Sequence, residues 1–313
     1  MSLPALFNPS NDMALATNLR QYYPPRRIQQ MERDLESLAQ FWDNGPWGWS
    51  LATKQRYLRM GVPESELPTE EWLAEVRRLS SREFGVAYYQ ALLLSEESSI
   101  ISCRAQFCTC IDEVKQHFSS SAAQAFILKA PWSSSGRGNM VVRDSIDPTT
   151  QKRIEAIIRE QSGIVAEPFY ADKVLDFAME FQVTDKGAEF LGYSVFEADD
   201  TGHYGGNYVE DQQSLLKRID LSESLLQDLV CYHQQELGKL NYRGPVGIDM
   251  MKLKDGRVHP CVEINFRMTM GMLALLLYHK GIREDQLLTP YREQGFVAEI
   301  RQGRLSIAFN KSC

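Results

Sequence analysis

The chain has 313 residues, 43 % hydrophobic and 24 % charged, a balance that places it among soluble globular proteins and makes two domains the prior expectation. Lys and Arg total 34 against 41 Asp and Glu, so the net charge of −7 argues against a general nucleic-acid binder. No apolar run approaches the ~18 residues of a membrane span, and residues 1–6 lack the basic segment of an export signal, which predicts a cytoplasmic protein. Six cysteines with no C-x-x-C pair read as reduced, mostly buried thiols.

The first hundred residues hold four of the five tryptophans and are rich in Pro and Arg. Residues 3–7 read as a short strand ending at Asn8-Pro9. Pro24 and Pro25 precede a helix whose apolar positions are Ile28, Met31, Leu35 and Leu38, stopped at Asn44-Gly45-Pro46. Residues 70–79 and 82–94 read as two more helices. From about residue 100 strands and helices alternate. Thr109 caps a helix over 111–118, with Asp112 three residues on. Residues 125–130 read as a strand, 133–138 as a Ser/Gly loop and 140–143 as a returning strand. Ile154, Ile157 and Ile158 mark a helix that ends at Gly163, and 164–167 is a strand. Residues 178–183 and 189–196 form an antiparallel pair. Asp220 with Glu223 caps a long helix through Leu240 whose buried face carries Leu225, Leu226, Leu229 and Val230. Residues 246–253 and 258–265 form a hairpin around Lys254-Asp255-Gly256. The pattern is α+β with antiparallel sheets, not a βαβ series.

Three signals carry chemistry. Lys129 ends a buried strand, where a cation is costly without a negative partner. The loop after it, Ser133-Ser134-Ser135-Gly136-Arg137-Gly138, offers hydroxyls and backbone N–H groups to phosphate oxygens. It is neither a G-x-x-x-x-G-K-S/T loop nor a G-x-G-x-x-G fingerprint. A solvated hairpin turn would give the same residues. In the second signal, Glu167 at a strand end and Asp176 could accept from ribose hydroxyls, while Pro168 and Phe169 offer a flat surface to a base. Two surface acids flanking a loop is the plainer alternative. The third signal is strongest: Asp249 on one hairpin strand, Glu263 and Asn265 on the other. Residues i and i+2 share a face. Whether Asp249 joins them depends on the turn: a two-residue Asp255-Gly256 turn would put it on the opposite face, while a three-residue turn with Gly256 left-handed pairs it with Cys261 and puts all three on that face. Two carboxylates and an amide oxygen suit a hard cation such as Mg²⁺, or Mn²⁺ in its place. Arg267, two residues on, extends the face with a planar cation.

Taken in order, the three signals resemble the ATP-grasp superfamily, over roughly residues 100–280. Glu263-Ile-Asn-Phe-Arg267 looks like the E-x-N-x-R of its carboxylase and carbamoyl-phosphate branches. Asn8-Pro-Ser-Asn-Asp12 and Pro131-Trp-Ser-Ser-Ser-Gly-Arg-Gly138 are similar to segments of bacterial ATP-grasp proteins. The resemblance implies two α+β subdomains clasping ATP: a divergent N-terminal domain over 1–100, a central subdomain over 101–170 and a C-terminal subdomain with the metal site over 171–313. It implies ATP contacts from Lys129, Ser133 to Gly138, Glu167, Pro168, Phe169 and Asp176, and metal contacts from Asp249, Glu263 and Asn265. Lys129 and Arg267 would act on the transferring phosphoryl group. The implied activity is ligation: a small-molecule carboxylate activated as an acyl phosphate for attack by an amine or thiol, with no nucleic-acid or membrane partner.

The chain departs from that pattern in two places. No lysine lies between Lys54 and Lys115, where the family carries a second ATP-binding lysine, and Arg82 is the nearest stand-in. Gly247 stands where the D-alanine ligases have an arginine. Substrate candidates are Asn8, Asn11 and Asp12 after the first strand, which equally suit Asx turns, and His203, Tyr204 and Asn207 on a glycine-rich loop. A kinase on the same fold and an ATP-binding protein without turnover are the competing readings. Asp249, Glu263, Asn265 and Arg267 together argue against the last.

Overall fold

The computed structural model describes residues 3–92, 99–102, 104–121, 123–133, 138–143, 145–198 and 204–310. Five helices come first: α1 Asn11–Thr17, α2 Arg26–Asp34, α3 Leu51–Arg59, α4 Glu70–Leu79 and α5 Arg82–Leu92. The helix expected through Leu38 breaks at Leu35, and a 3-10 helix, Glu36–Phe41, takes its place. The strand expected over 3–7 is a single bridge, Leu6 to Pro46. Two helices carry N-cap signals that the periodicity hides: Ser50 accepts from the Thr53 N–H ahead of α3, and Thr69 from the Trp72 N–H ahead of α4.

A four-stranded sheet follows, built from β1 Gln106–Cys108, β2 Ala125–Lys129, β3 Met140–Arg143 and β4 Ile164–Pro168, in the order β1-β4-β2-β3. Helices α6 Ile111–Ser120 and α7 Pro148–Gln161 cover one face. Leu128, Ile164 and Ala166 point to that face and pack on Val114 and Ile154. The cap of α6 is Cys110 rather than Thr109, and Glu113 accepts from the Thr109 N–H and hydroxyl. The opposite face carries Lys129 and Glu167, and α5 packs against it.

The larger sheet has eight antiparallel strands. They are β5 Lys173–Thr184, β6 Gly187–Ala198, β7 Tyr204–Tyr208, β8 Gly244–Leu253, β9 Val258–Asn265, β10 Gln286–Leu287, β11 Gly295–Arg301 and β12 Arg304–Asn310, in the order β10-β11-β12-β7-β6-β5-β8-β9. Helices α8 Gln212–Ile219 and α9 Glu223–Gly238 cover one side, and α10 Met270–His279 packs on the other. Ser222 caps α9, while Asp220 is left-handed and ends α8, so the expected Asp220 cap moves two residues on. Tyr204 and Asn207 lie on a strand, not a loop.

The first hundred residues share cores with the larger sheet. Val76, Leu79, Tyr88 and Tyr89 pack with Phe177, Phe181, Leu229 and Ile248. Phe7, Leu35, Leu38 and Trp42 pack with Leu273, Phe296 and Ile300. No described helix is long and apolar enough to cross a membrane. Of the described cysteines, Cys108 and Cys261 are buried and Cys110 and Cys231 are exposed, so burial holds for half of them.

The interior strand β5 pairs with β6 on one side and β8 on the other, and its Phe177 is fully buried. Phe177→Ala should remove about 3–5 kcal/mol of stability and lower the thermal midpoint by on the order of 5 °C. Differential scanning calorimetry checks this.

Candidate active site

The register of the larger sheet assembles the site. Cross-strand partners share a face, and so do residues two apart. Asn265 pairs with Gly247, Gly247 with Glu180, and Glu180 with Gly192. The adjacent row runs Glu263, Asp249, Ala178, Ser194. The next holds Asp176, Phe196 and Asn207. One face therefore gathers Asp249, Glu263 and Asn265, as the hairpin reading expects. The turn has the expected three residues, with Gly256 at φ +85° and Leu253 N–H donating to the Arg257 carbonyl. Asp249, however, faces Glu263 directly and not Cys261, because the register shifts between Asp249 and Met251.

Two carboxylates placed opposite each other repel. Desolvation, then the charges of Glu263 and Glu180, hold Asp249 well above the usual carboxylate range, against the Asn265 amide that donates to it at 3.0 Å. The oxygen donors and their mutual repulsion fit a hard divalent cation. The donor set is two carboxylates and an amide; among the described residues no group of three His, Cys, Asp or Glu forms a metal cluster. Further ligands would have to come from a bound phosphate or water.

Arg82 reaches Glu263 from α5 at 2.8 Å. Its Nη1 donates to both the Ala130 carbonyl at 2.7 Å and the Ser133 hydroxyl at 2.8 Å. It thus ties the segment after β2 to the acid face of the large sheet. Among the described residues its buried Nε has no partner. Residues Arg82, Gly85, Val86 and Tyr89, one face of α5, line a cleft with Lys129, Glu167 and Glu263. In the small sheet Ile127 pairs with Glu167 and Lys129 with Val165, so Lys129 and Glu167 are diagonal neighbours on one face. They form a buried ion pair. Glu167 is thus the partner that Lys129 requires. Asp176 pairs with Lys173 at 2.7 Å, yet burial raises its carboxyl above the usual range. Pro168 is buried at the end of β4, and the Phe169 ring lies under the Arg143 guanidinium. Gly138 is exposed at φ +86°. Ser134, Ser135, Gly136, Arg137 and His203 lie outside the described residues.

Arg267 is not where strand alternation alone would aim it. Strand β9 ends at Asn265, and the Arg267 N–H turns back onto the Asn265 carbonyl. Its guanidinium grips Asp12 of α1, Nε at 3.0 and 3.1 Å and Nη2 at 2.9 Å, while Nη1 donates to Met268 O. It still lines the chamber beside Asp249. Asn8 and Asn11 do not. The Asn8 amide donates to the Gly48 carbonyl and the Thr53 hydroxyl. The Asn11 amide nitrogen faces the Gly48 and Trp49 carbonyls at 3.1 and 3.3 Å. Both hold the backbone around Gly48. Tyr204 and Asn207 do line the chamber.

Sequence reasoning missed Glu180. It is fully buried, and the Ser194 and Thr269 hydroxyls donate to it at 2.9 Å each. The available signal was an acid inside the apolar run Ala178-Met-Glu-Phe181. It also accounts for Gly247: a Cβ there would come within 2.6 Å of Thr269 Cγ2 and 2.7 Å of Glu180 Oε2. An arginine has no room.

No family model matches the chain. A curated relative, the [butirosin acyl-carrier protein]–L-glutamate ligase of Niallia circulans, is 23 % identical over 224 residues, 70 % of this chain and 49 % of that protein. The chain therefore spans about half the length of that relative. Among solved structures, biotin carboxylase of Campylobacter jejuni, complexed with β-γ-ATP, aligns over 75 % of this chain and 54 % of its own, with a TM-score of 0.53 and 12 % identity. Pyruvate carboxylase of Rhizobium etli aligns over 73 % of this chain and 19 % of its own, with a TM-score of 0.53 and 15 % identity. The fold is ATP-grasp.

Burial raises the Glu180 carboxyl from 4.5 to about 7, opposed by the Thr269 and Ser194 hydroxyls. The folded chain then holds a proton that the unfolded chain releases between those values. Stability present below pH 4.5 is lost as pH rises through about 7. The loss should be on the order of 3 kcal/mol. Urea unfolding across this range should show the decline, and Glu180→Gln should reduce it, leaving the part that Asp249 and Asp176 contribute.

Proposed function

We propose that this ATP-grasp protein is an ATP-dependent ligase that activates a small-molecule carboxylate as an acyl phosphate for attack by an amine or thiol. The observation that carries the reading is the single face holding Asp249, Glu263 and Asn265, with Arg267 at its edge and Lys129 and Arg82 across the cleft. The similar protein of N. circulans is named as a ligase, which supports the same reaction class.

Lys129 brings a desolvated point charge to the phosphates, and Glu167 fixes its position until they arrive. Arg82 takes the place of the missing second lysine. Its guanidinium joins the loop at Ser133 to Glu263, and Nε remains a donor in need of an acceptor. Asp249, Glu263 and Asn265 would hold Mg²⁺, which when bound polarises phosphoryl oxygens as a Lewis acid. Asp12 orients Arg267 edge-on, and at least two of its five N–H donors stay free for charge that develops on transfer. Positioning and charge carry the reaction, because phosphoryl transfer asks little covalent chemistry of a protein.

The test supplies MgATP, a panel of carboxylic acids and hydroxylamine as a general nucleophile. A ligase yields ADP and acyl hydroxamate in equal amounts. ADP with a stable phosphoester and no hydroxamate would make the protein a kinase. Absence of both would leave a binding protein. In calorimetry, Lys129→Ala should weaken ATP by about 10- to 100-fold, while Lys186→Ala, in the exposed turn before β6, should leave it unchanged. Arg267→Lys should keep ATP affinity within a few-fold and lower turnover by about 10²-fold, the scale of one lost transition-state donor. Joint loss of ATP binding and turnover would make Arg267 a ground-state ligand.

A further inference from the structure

The chamber beside Asp249 has a volume of about 400 Å³, within the range of small-molecule sites. Its two ends are unlike. The charged groups among its described lining are Glu180, Asp249, Glu263 and Arg267, and all belong to the site above. Glu180 is sealed under Gly247, and Arg267 already has Asp12 as counter-ion. The far wall is Phe7, Met13, Ile28 and Met31 from the N-terminal segment, with Phe296 and Ile307 from the last hairpin. A charged substituent placed there would lose its hydration and gain no partner.

Across from that wall, on the sheet side of the chamber, one polar group is unsatisfied. Asn207 is 1 % exposed, and among the described residues its Nδ2 has no hydrogen-bond partner. Its cross-strand neighbours are Phe196 and Leu305, which offer none. Buried amide donors are nearly always satisfied, so this one lacks an acceptor that something else supplies. Asn207 shares the sheet face of Asp249 but lies three strands away. At the usual strand spacing that is roughly 14 Å. A group meeting Asn207 is therefore distant from the reacting carboxylate.

Resting on the ligase reading above, we propose that the chamber takes a carboxylic acid with an apolar chain. Its carboxylate lies at the Asp249–Arg267 end, its chain against Phe7, Ile28 and Met31, and an uncharged oxygen on the chain accepts from Asn207 Nδ2. Acids with a second charge are disfavoured, because the far wall holds no counter-ion among the described residues.

The hydroxamate assay tests this with straight-chain acids, chain acids bearing a mid-chain carbonyl or amide, a dicarboxylic acid and a basic amino acid. Apolar acids should react, and those with the added carbonyl should have a KM at least tenfold below the charged ones. Asn207→Leu should raise the KM of the carbonyl-bearing acid about tenfold and abolish its advantage over the plain chain. Should that variant fold poorly, Met31→Glu on the partly exposed opposite wall gives a second reading. It should raise the KM of apolar acids tenfold or more with ATP affinity unchanged. Hydroxamate from charged acids alone would overturn this proposal and leave the ligase reading standing. An unchanged carbonyl preference in Asn207→Leu, or an unchanged KM in Met31→Glu, would also overturn it. No hydroxamate from any acid would overturn both.

Discussion

Like-charge repulsion on one sheet face dictates much of this molecule. The β8–β9 register sets Asp249 opposite Glu263, with Glu180 two residues and one strand away. Carboxylates so placed are unfavourable unless cations or donors come to them. Each acid has drawn a partner from a different part of the chain. Glu263 has Arg82 of α5, Asp249 has Asn265 of the same hairpin, and Glu180 has the Ser194 and Thr269 hydroxyls. Arg267 adds charge from the edge and is itself held by Asp12 of α1. Two N-terminal helices are thereby docked on the sheet by the electrostatics of the site.

That docking also separates the two kinds of arginine. Arg82 bridges the sheets and contacts both sides of the cleft. Arg267 stays on one side, and its geometry is set by a fork-to-carboxylate contact. A movement of the small sheet against the large one would strain the first contact and leave the second intact.

Legibility from the sequence followed how local each cause is. The strands 140–143 and 258–265 and the helix 70–79 stand at the expected residues, because periodicity and turn residues decide them. The acid face of the hairpin was legible too, since alternation and Gly256 decide it. The bulge between Asp249 and Met251 was not, because it answers to neighbouring strands. Helix α10 escaped notice: Met270–His279 is apolar nearly all round, so it has no stripe to detect. Glu180 was hidden by its apolar neighbours. The roles of Asn8, Asn11 and Asp12 depend on Gly48 and Arg267, which are far away in sequence and close only in the fold.

The shared core of Phe7, Leu35 and Trp42 with Phe296 and Ile300 has a consequence for synthesis. The first of these residues leave the ribosome long before the last. At ~5–20 residues per second the gap is on the order of ten to fifty seconds. During that time Phe7, Trp42 and Trp47 pack on one another without the cover of Phe296 and Ile300, and the tie from Asp12 to Arg267 cannot form. The hairpin of β11 and β12 then acts as the latch that closes this core.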